Sequence, residues 1–183
     1  MAVVKKHYCD FCNELPVDSD NPNKYYHDYE YGFELTDDNA LFERFVLEIN
    51  QAGLSWNTIL QKRKNFQKAY LGFDIDKVAN FTQADVDRLL QDSGIIRNKL
   101  KVNAAIYNAN QIILLQKEFG SFKNWLDLHK EHTLEEWLKL FKKHFKFVGG
   151  EIVNEFLMST AYLPGSHRVD CPIHKNTRFY LDK

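Results

Sequence analysis

No run of apolar residues in the chain approaches the roughly 20 that a membrane-spanning helix requires. The opening stretch, Met1 to Lys6, has no apolar segment of the kind that marks an export signal. The expectation is a cytosolic protein with no membrane partner. Cysteine is scarce too. Three cysteines in 183 residues exclude a secreted-type disulfide framework, and in a reducing compartment they read as thiols or metal ligands. Neither sign of charge is in excess. With 24 Lys and Arg against 25 Asp and Glu, the formal net charge is -1, so no global field draws the chain to nucleic acid. Any such binding has to come from local clusters such as Lys62-Arg63-Lys64 and Lys142-Lys143-His144 with Lys146. Strand-like alternation of apolar and polar residues is missing at any useful length, which leaves the all-α class. No internal repeat, low-complexity tract or linker divides the chain, so residues 1–183 read as one all-α domain.

Apolar and aromatic residues are plentiful. They make up 44% and 14% of the chain, with fourteen Phe and nine Tyr, a composition that excludes a solvated coil and supplies a sizeable core. The first 22 residues lack periodicity and read as an extended arm bearing Cys9 and Cys12. A helix is predicted from Asp38 to about Gln51, with Thr36, Asp37 and Asp38 as its cap and acidic first turn and Gly53 at its end. Ser55 caps a second helix through Trp56, Ile59, Leu60 and Phe66, closed at Gly72. Thr82 opens a third that stops at Ser93-Gly94. Asn98 opens a long fourth, to about Glu118. Thr133-Leu-Glu-Glu136 is a capping box ahead of Trp137 and Phe141. A last helix is predicted from about Glu151 to Thr160, with loop beyond Pro164.

One position breaks the pattern. Leu41, Phe45 and Ile49 form the apolar stripe of the first helix, with Phe42 and Val46 beside them, and Glu48 falls close to that buried face. A buried carboxylate is expensive unless something answers its charge. The residues around it, Leu47-Glu48-Ile49-Asn50-Gln51-Ala52-Gly53-Leu54-Ser55-Trp56, resemble the Leu-Glu-x-x-Gln-Ala-Gly-Leu-Ser-Trp motif of the 3-methyladenine DNA glycosylase I family. The likeness extends to Tyr26-His27-Asp28-Tyr29-Glu30-Tyr31-Gly32, Asp92-Ser93-Gly94-Ile95-Ile96-Arg97-Asn98-Lys99, Phe145-Lys146-Phe147-Val148-Gly149 and His167-x-x-x-Cys171. It covers the chain from about Cys9 to Cys171.

The resemblance implies a helix-hairpin-helix glycosylase-like fold, with the hairpin over about 83–109. It also implies tails, over about 9–27 and 167–174, joined by a structural zinc ion. Cys9, His27, His167 and Cys171 would be the ligands. Spacing alone favours Cys9 with Cys12 and leaves Cys12 and His174 as alternatives. The implied activity is excision of 3-methyladenine from double-stranded alkylated DNA by base flipping, without strand cleavage and as a monomer. Glu48 would be the catalytic carboxylate, and Phe11, Tyr26 and Trp56 would hold the base. Leu54 would fill the gap left in the duplex, and Gly94, Ile95, Ile96, Arg97 and Lys99 would take DNA, with Lys101 a third cation beside them. Phe11, Asn23, Tyr31 and Gly150-Glu151 depart from the family pattern and alter the expected pocket walls. Two other readings fit the same residues: a non-catalytic module that binds damaged or distorted DNA, and a zinc-dependent hydrolase acting on a small substrate.

Overall fold

A computed structural model describes residues 7–181; the reading of the chain start as lacking an export signal lies outside them. Among the described residues there is no strand, and no helix is long and apolar enough to cross a membrane. The chain divides into two compact units, one of Met1–Glu34 with Leu157–Lys183 and one of Leu35–Phe156.

The second unit holds most of the helices. Helix α3 (Asp38–Gln51) is capped by Asp37, whose side chain accepts from the Ala40 N–H, and α4 (Trp56–Ala69) is capped by Ser55. Beyond α4 the chain turns through Leu71, Gly72 and Phe73, all at positive φ, a tight reversal held by Phe73 stacked on Tyr70 with ring centroids 5.5 Å apart. Helix α5 (Ile75–Ala79) follows, then α6 (Gln83–Gln91) behind the Thr82 capping box and α7 (Lys99–Phe119) behind Asn98. Helices α8 (Phe122–Leu128) and α9 (Leu134–His144) complete the set, the latter with the capping box read from Thr133.

The phenylalanine-rich composition becomes an aromatic core in this unit. Phe45 meets Phe141, Phe145 and Phe156 at centroid distances of 5.7, 5.2 and 5.2 Å. Trp125 bridges Phe122, Trp137 and Phe141. Edge and offset ring pairs of this kind add to the large apolar area each ring removes from water. Asp38 ties the start of α3 to this core, because its carboxylate accepts from the Phe122 and Lys123 N–H groups at the start of α8 and from Gln116. That bond set answers the exposed amides of one helix with the first-turn acid of another.

In the first unit, α1 (Tyr8–Asn13) and α2 (Pro22–Tyr29) precede a bend, and the chain returns at the end of α10 (Gly150–Ser159) to finish in α11 (Arg178–Leu181). The extended-arm expectation for the first 22 residues is therefore corrected. His7 caps a six-residue helix through the Cys9 N–H, too short for any periodicity to show. Likewise Glu151–Thr160 is not the last helical segment, since a 3-10 turn (His174–Asn176) and α11 lie beyond Pro164. Gly32 marks the bend after α2. Its φ is +81° and a Cβ there would strike the Ser166 side chain, while its N–H donates to the Ser159 carbonyl at 3.0 Å.

Candidate functional site

Four side chains from distant parts of the sequence converge in the first unit. Cys9 on α1, His27 on α2, and His167 and Cys171 in the returning segment are all buried, and their ligand atoms lie within 4.8 Å of one another. Cys171 Sγ is 3.6 Å from His27 Nε2 and 3.7 Å from His167 Nδ1, and Cys9 Sγ is 3.8 Å from His167 Nδ1. Bonds of about 2.0–2.3 Å to a tetrahedral ion would set ligand atoms about 3.3–3.8 Å apart, so these separations suit a four-coordinate metal ion.

The outer nitrogens fix both rings for that task. His27 Nδ1 lies 2.7 Å from Asp28 Oδ1, and His167 Nε2 lies 2.7 Å from the Tyr31 carbonyl. A carboxylate and a carbonyl only accept, so each outer nitrogen carries the proton and each inward nitrogen keeps its lone pair. Burial holds the His167 imidazole down at about 4 and also lowers His27, against the pull of Asp28. Neutral rings are the form a metal takes. Burial pushes the Cys9 thiol up to about 12, so a bound cation would be what holds it as thiolate.

Cys12, which spacing alone pairs with Cys9, turns away from this group. Its buried thiol donates to the Asn23 carbonyl at 3.6 Å. His174 is not among the four either. Outside the group, Arg168 joins the two ends of the unit through Asp10 at 2.7 Å. Asn23, one of the departures from the family pattern, is buried structure: it accepts from the Tyr8 hydroxyl and donates to Asn21. Tyr31, another, presents an edge contact to Tyr8 and to His167. Tyr26 is almost fully buried, whereas Phe11 is 39% exposed and is not a core residue.

Glu48 occupies the second unit, in the last turn of α3. Every residue from Arg44 to Asn50 is buried, and Glu48 itself is only 4% exposed. Burial thus extends round the whole circumference of the helix, taking in Arg44 and Asn50 with the acid. Burial, with the like charge of Glu155 added and Arg44 opposing, raises its carboxyl to about 8. Four residues beyond α3's Asn50 comes Leu54, 39% exposed, in a turn closed by its N–H to the Gln51 carbonyl at 2.7 Å. Gly53 takes φ +82° there. Trp56 follows as the first residue of α4, half-buried.

The segment between α6 and α7 carries the remaining candidates. Asp92 organises it, accepting the Gly94 N–H at 2.7 Å on its side chain and the Ile95 N–H on its carbonyl. Ile95 is buried, and the N–H groups of Ile96 and Arg97 have no acceptor among the described residues. Arg97 and Lys99 are exposed. Lys101 is not. It is 5% exposed, and its ammonium donates to the carbonyls of Asn50 and Ala52 at 2.9 and 2.8 Å, which corrects its reading as a third DNA-facing cation. The cluster Lys62-Arg63-Lys64 is also partly spent inside the fold. Lys62 donates to the Ser93 and Gly94 carbonyls, and Arg63 pairs with Glu43 at 2.6 Å.

This constellation has relatives. A family profile described as methyladenine glycosylase matches residues 17–139. The chain is 37% identical over 165 residues to DNA-3-methyladenine glycosylase 1 of Escherichia coli, covering 80% of this chain and 88% of that protein. It is 34% identical over 166 residues to the DNA-3-methyladenine glycosylase of Haemophilus influenzae, covering 80% and 89%. Among solved structures, a tyrosine-to-phenylalanine variant of 3-methyladenine DNA glycosylase I in complex with 3-methyladenine superimposes with a TM-score of 0.79 at 29% identity, over 92% of this chain and 97% of that one. By sequence and by fold, the chain belongs to the methyladenine glycosylase family.

Proposed function

We propose that the protein is a monofunctional DNA glycosylase that hydrolyses the N-glycosidic bond of 3-methyladenine in alkylated double-stranded DNA, opening base excision repair. The observation that carries this reading, beside the family membership, is Glu48: an acid in the last turn of α3, buried and raised to about 8. Such a group is costly to build and suits a ligand that brings a positive charge.

Methylation at N3 makes adenine cationic while it is still attached to the sugar, so the base is already a good leaving group and needs little acid catalysis. The enzyme's task is to take it out of the duplex and distinguish it from neutral adenine. A cationic base beside Glu48 favours the ionised carboxyl, and the pair then attract strongly in a site shielded from water. Neutral adenine offers no such return and leaves Glu48 protonated. Trp56, with Tyr26 and Phe11 by family likeness, would stack on the base, and aromatic faces add attraction for a cation. Leu54 would fill the space left in the stack. Ile96 and Arg97 amides, with Gly94, Ile95 and Lys99 shaping the turn and its charge, would hold backbone phosphate and so fix register without reading sequence. Water would then attack the oxocarbenium-like sugar.

Cys9, His27, His167 and Cys171 would hold zinc as a closed structural site. The ion would supply a crosslink between segments far apart in the chain and leaves no coordination position for water. The DNA substrate and the thiol-rich metal group fit a monomer of the bacterial cytoplasm.

The test is the release of free base from methylated duplex DNA by the protein and by Glu48→Gln. Release of 3-methyladenine by the protein, lost in the variant, is expected. Binding of the DNA without release by the intact protein would instead favour a non-catalytic damage-binding module.

A further inference from the structure

Lys101 stands in the first turn of α7, where a cation opposes the positive end of its own helix. It is buried there, at a desolvation cost that lowers its basicity. Both costs are answered on another helix. Its ammonium donates to the Asn50 and Ala52 carbonyls, the unsatisfied C-terminal groups of α3, and it lies 5.8 Å from the centre of the Phe147 ring. Phe147 is itself held in a strained backbone at φ +60°. The residue before it is clamped at both its N–H and its carbonyl by the buried side chain of Asn108, at 2.8 and 3.1 Å. Lys101 therefore joins α7, the end of α3 and the Phe147 loop.

What it supports is the turn at Leu54. Within that turn, Leu54 N–H bonds to the Gln51 carbonyl, and the Gln51 side chain donates back to the Leu54 carbonyl at 3.0 Å. Ser55 ties the turn to α4 through the Thr58 N–H, and Lys101 ties it to α7, a helix that the turn does not join. A side chain that wedges into a base stack works against the cost of unstacking, and a wedge on an unsupported turn would yield. We propose that Lys101 is a positioning residue for base flipping, bracing the Leu54 turn from behind while making no contact with the base. This rests on the glycosylase reading and on Leu54 as the wedge.

The experiment compares single-turnover release of 3-methyladenine from two methylated duplexes, one with its adenines opposite thymine and one with them opposite abasic sites, where the stack is already open. Lys101→Met is expected to slow release from the paired duplex by about 10²-fold, the scale for a displacement of about 1 Å in a positioning element. Release from the opened duplex should stay within about threefold of the unmodified protein, close to experimental scatter in such rates. Leu54→Ala should show the same split, and the double variant should be no worse than the poorer single one. Equal losses on both duplexes, or none on either, would overturn the proposal, as would full additivity with Leu54→Ala. If Lys101→Met does not fold, Lys101→Gln, which keeps a donor, is expected to show the same split at smaller amplitude, and unaltered rates on both duplexes would be equally fatal. Absence of release by the unmodified protein from either duplex would instead refute the glycosylase reading.

Discussion

Replacing Glu48 by Gln separates the cost of burying an acid from the use made of it. An ordinary glutamate ionises near 4.5, and burial, aided by Glu155 and opposed by Arg44, raises Glu48 to about 8. Between those two values the folded protein retains a proton that the unfolded chain has released. Stability therefore falls as pH rises through the window from 4.5 to about 8 and levels off above it. At about 1.4 kcal/mol per pH unit the fall amounts to something on the order of 5 kcal/mol, a large share of the roughly 5–15 kcal/mol that holds a domain together. Glutamine has nearly the shape of the protonated acid and does not titrate. The variant should match the parent in stability near the acid end of the window and exceed it by several kcal/mol at the alkaline end.

Guanidinium unfolding at a series of pH values, both proteins in the same buffer with the same excess of zinc, measures this directly. Histidine and cysteine titrations are common to the two proteins and cancel in the difference. The difference should widen steadily across the window and then hold constant. A difference that stays within about 1 kcal/mol over the whole range would show that Glu48 is either hydrated or ion-paired in solution, and the argument for a site that waits for a cation would fail. The same variant is expected to release no 3-methyladenine, so a gain in stability would accompany the loss of activity, the usual mark of a strained functional group.

The pH dependence of kcat/KM reports the free enzyme. Since the ionised carboxyl answers the cationic base, kcat/KM should rise about tenfold per pH unit and level near about 8; a profile flat below that point would refute it. Cys9→Ser and His167→Ala should lose bound metal, measured by elemental analysis, whereas Cys12→Ser should keep it because its thiol faces the Asn23 carbonyl. Asp28→Asn, which loosens the hydrogen bond that orients His27, should weaken metal affinity by about 10–100-fold. Arg97→Ala and Lys99→Ala should each weaken binding to undamaged duplex and lower its salt dependence by about one counterion, with no change in the base released. A change in base preference would place either residue at the base instead of the phosphate.

The fold was legible wherever a helix was long enough to repeat its pattern and began with a side-chain cap. Asp37, Ser55, Thr82, Asn98 and Thr133 mark the starts of α3, α4, α6, α7 and α9 as read, and Gly53 and the Leu71–Phe73 reversal mark two of the ends. The helices that escaped, α1, α2, α5, α8 and α11, run four to eight residues, about two turns at most, over which no period can be distinguished from chance. Their positions are set by contacts remote in sequence. The start of α8, for example, is held by Asp38, more than eighty residues earlier.

The candidate site shows the same division. The acid beside the apolar stripe of α3 was visible from spacing, because burial follows the face of a helix and Glu48 sits at its margin. The extent of its enclosure was not, since Arg44 and Asn50 are equally buried although both are polar. Spacing misled for the metal group, favouring Cys12 three residues from Cys9, when the partners of Cys9 and Cys171 are His167 and His27, separated from them by as many as 158 and 144 positions. Lys101 is the sharpest case. Beside Arg97 and Lys99 its charge reads as one more phosphate contact, yet Arg97 precedes α7 and the two-residue step from Lys99 to Lys101 turns about 200° round the helix, which leaves the first two exposed and sends the third into the fold. A lysine directed at the carbonyl end of a different helix leaves no local signal, because what it answers is the geometry of α3. Sequence patterns therefore find the groups that meet a ligand sooner than the groups that hold them steady, and Lys101 is the residue where that difference can be measured.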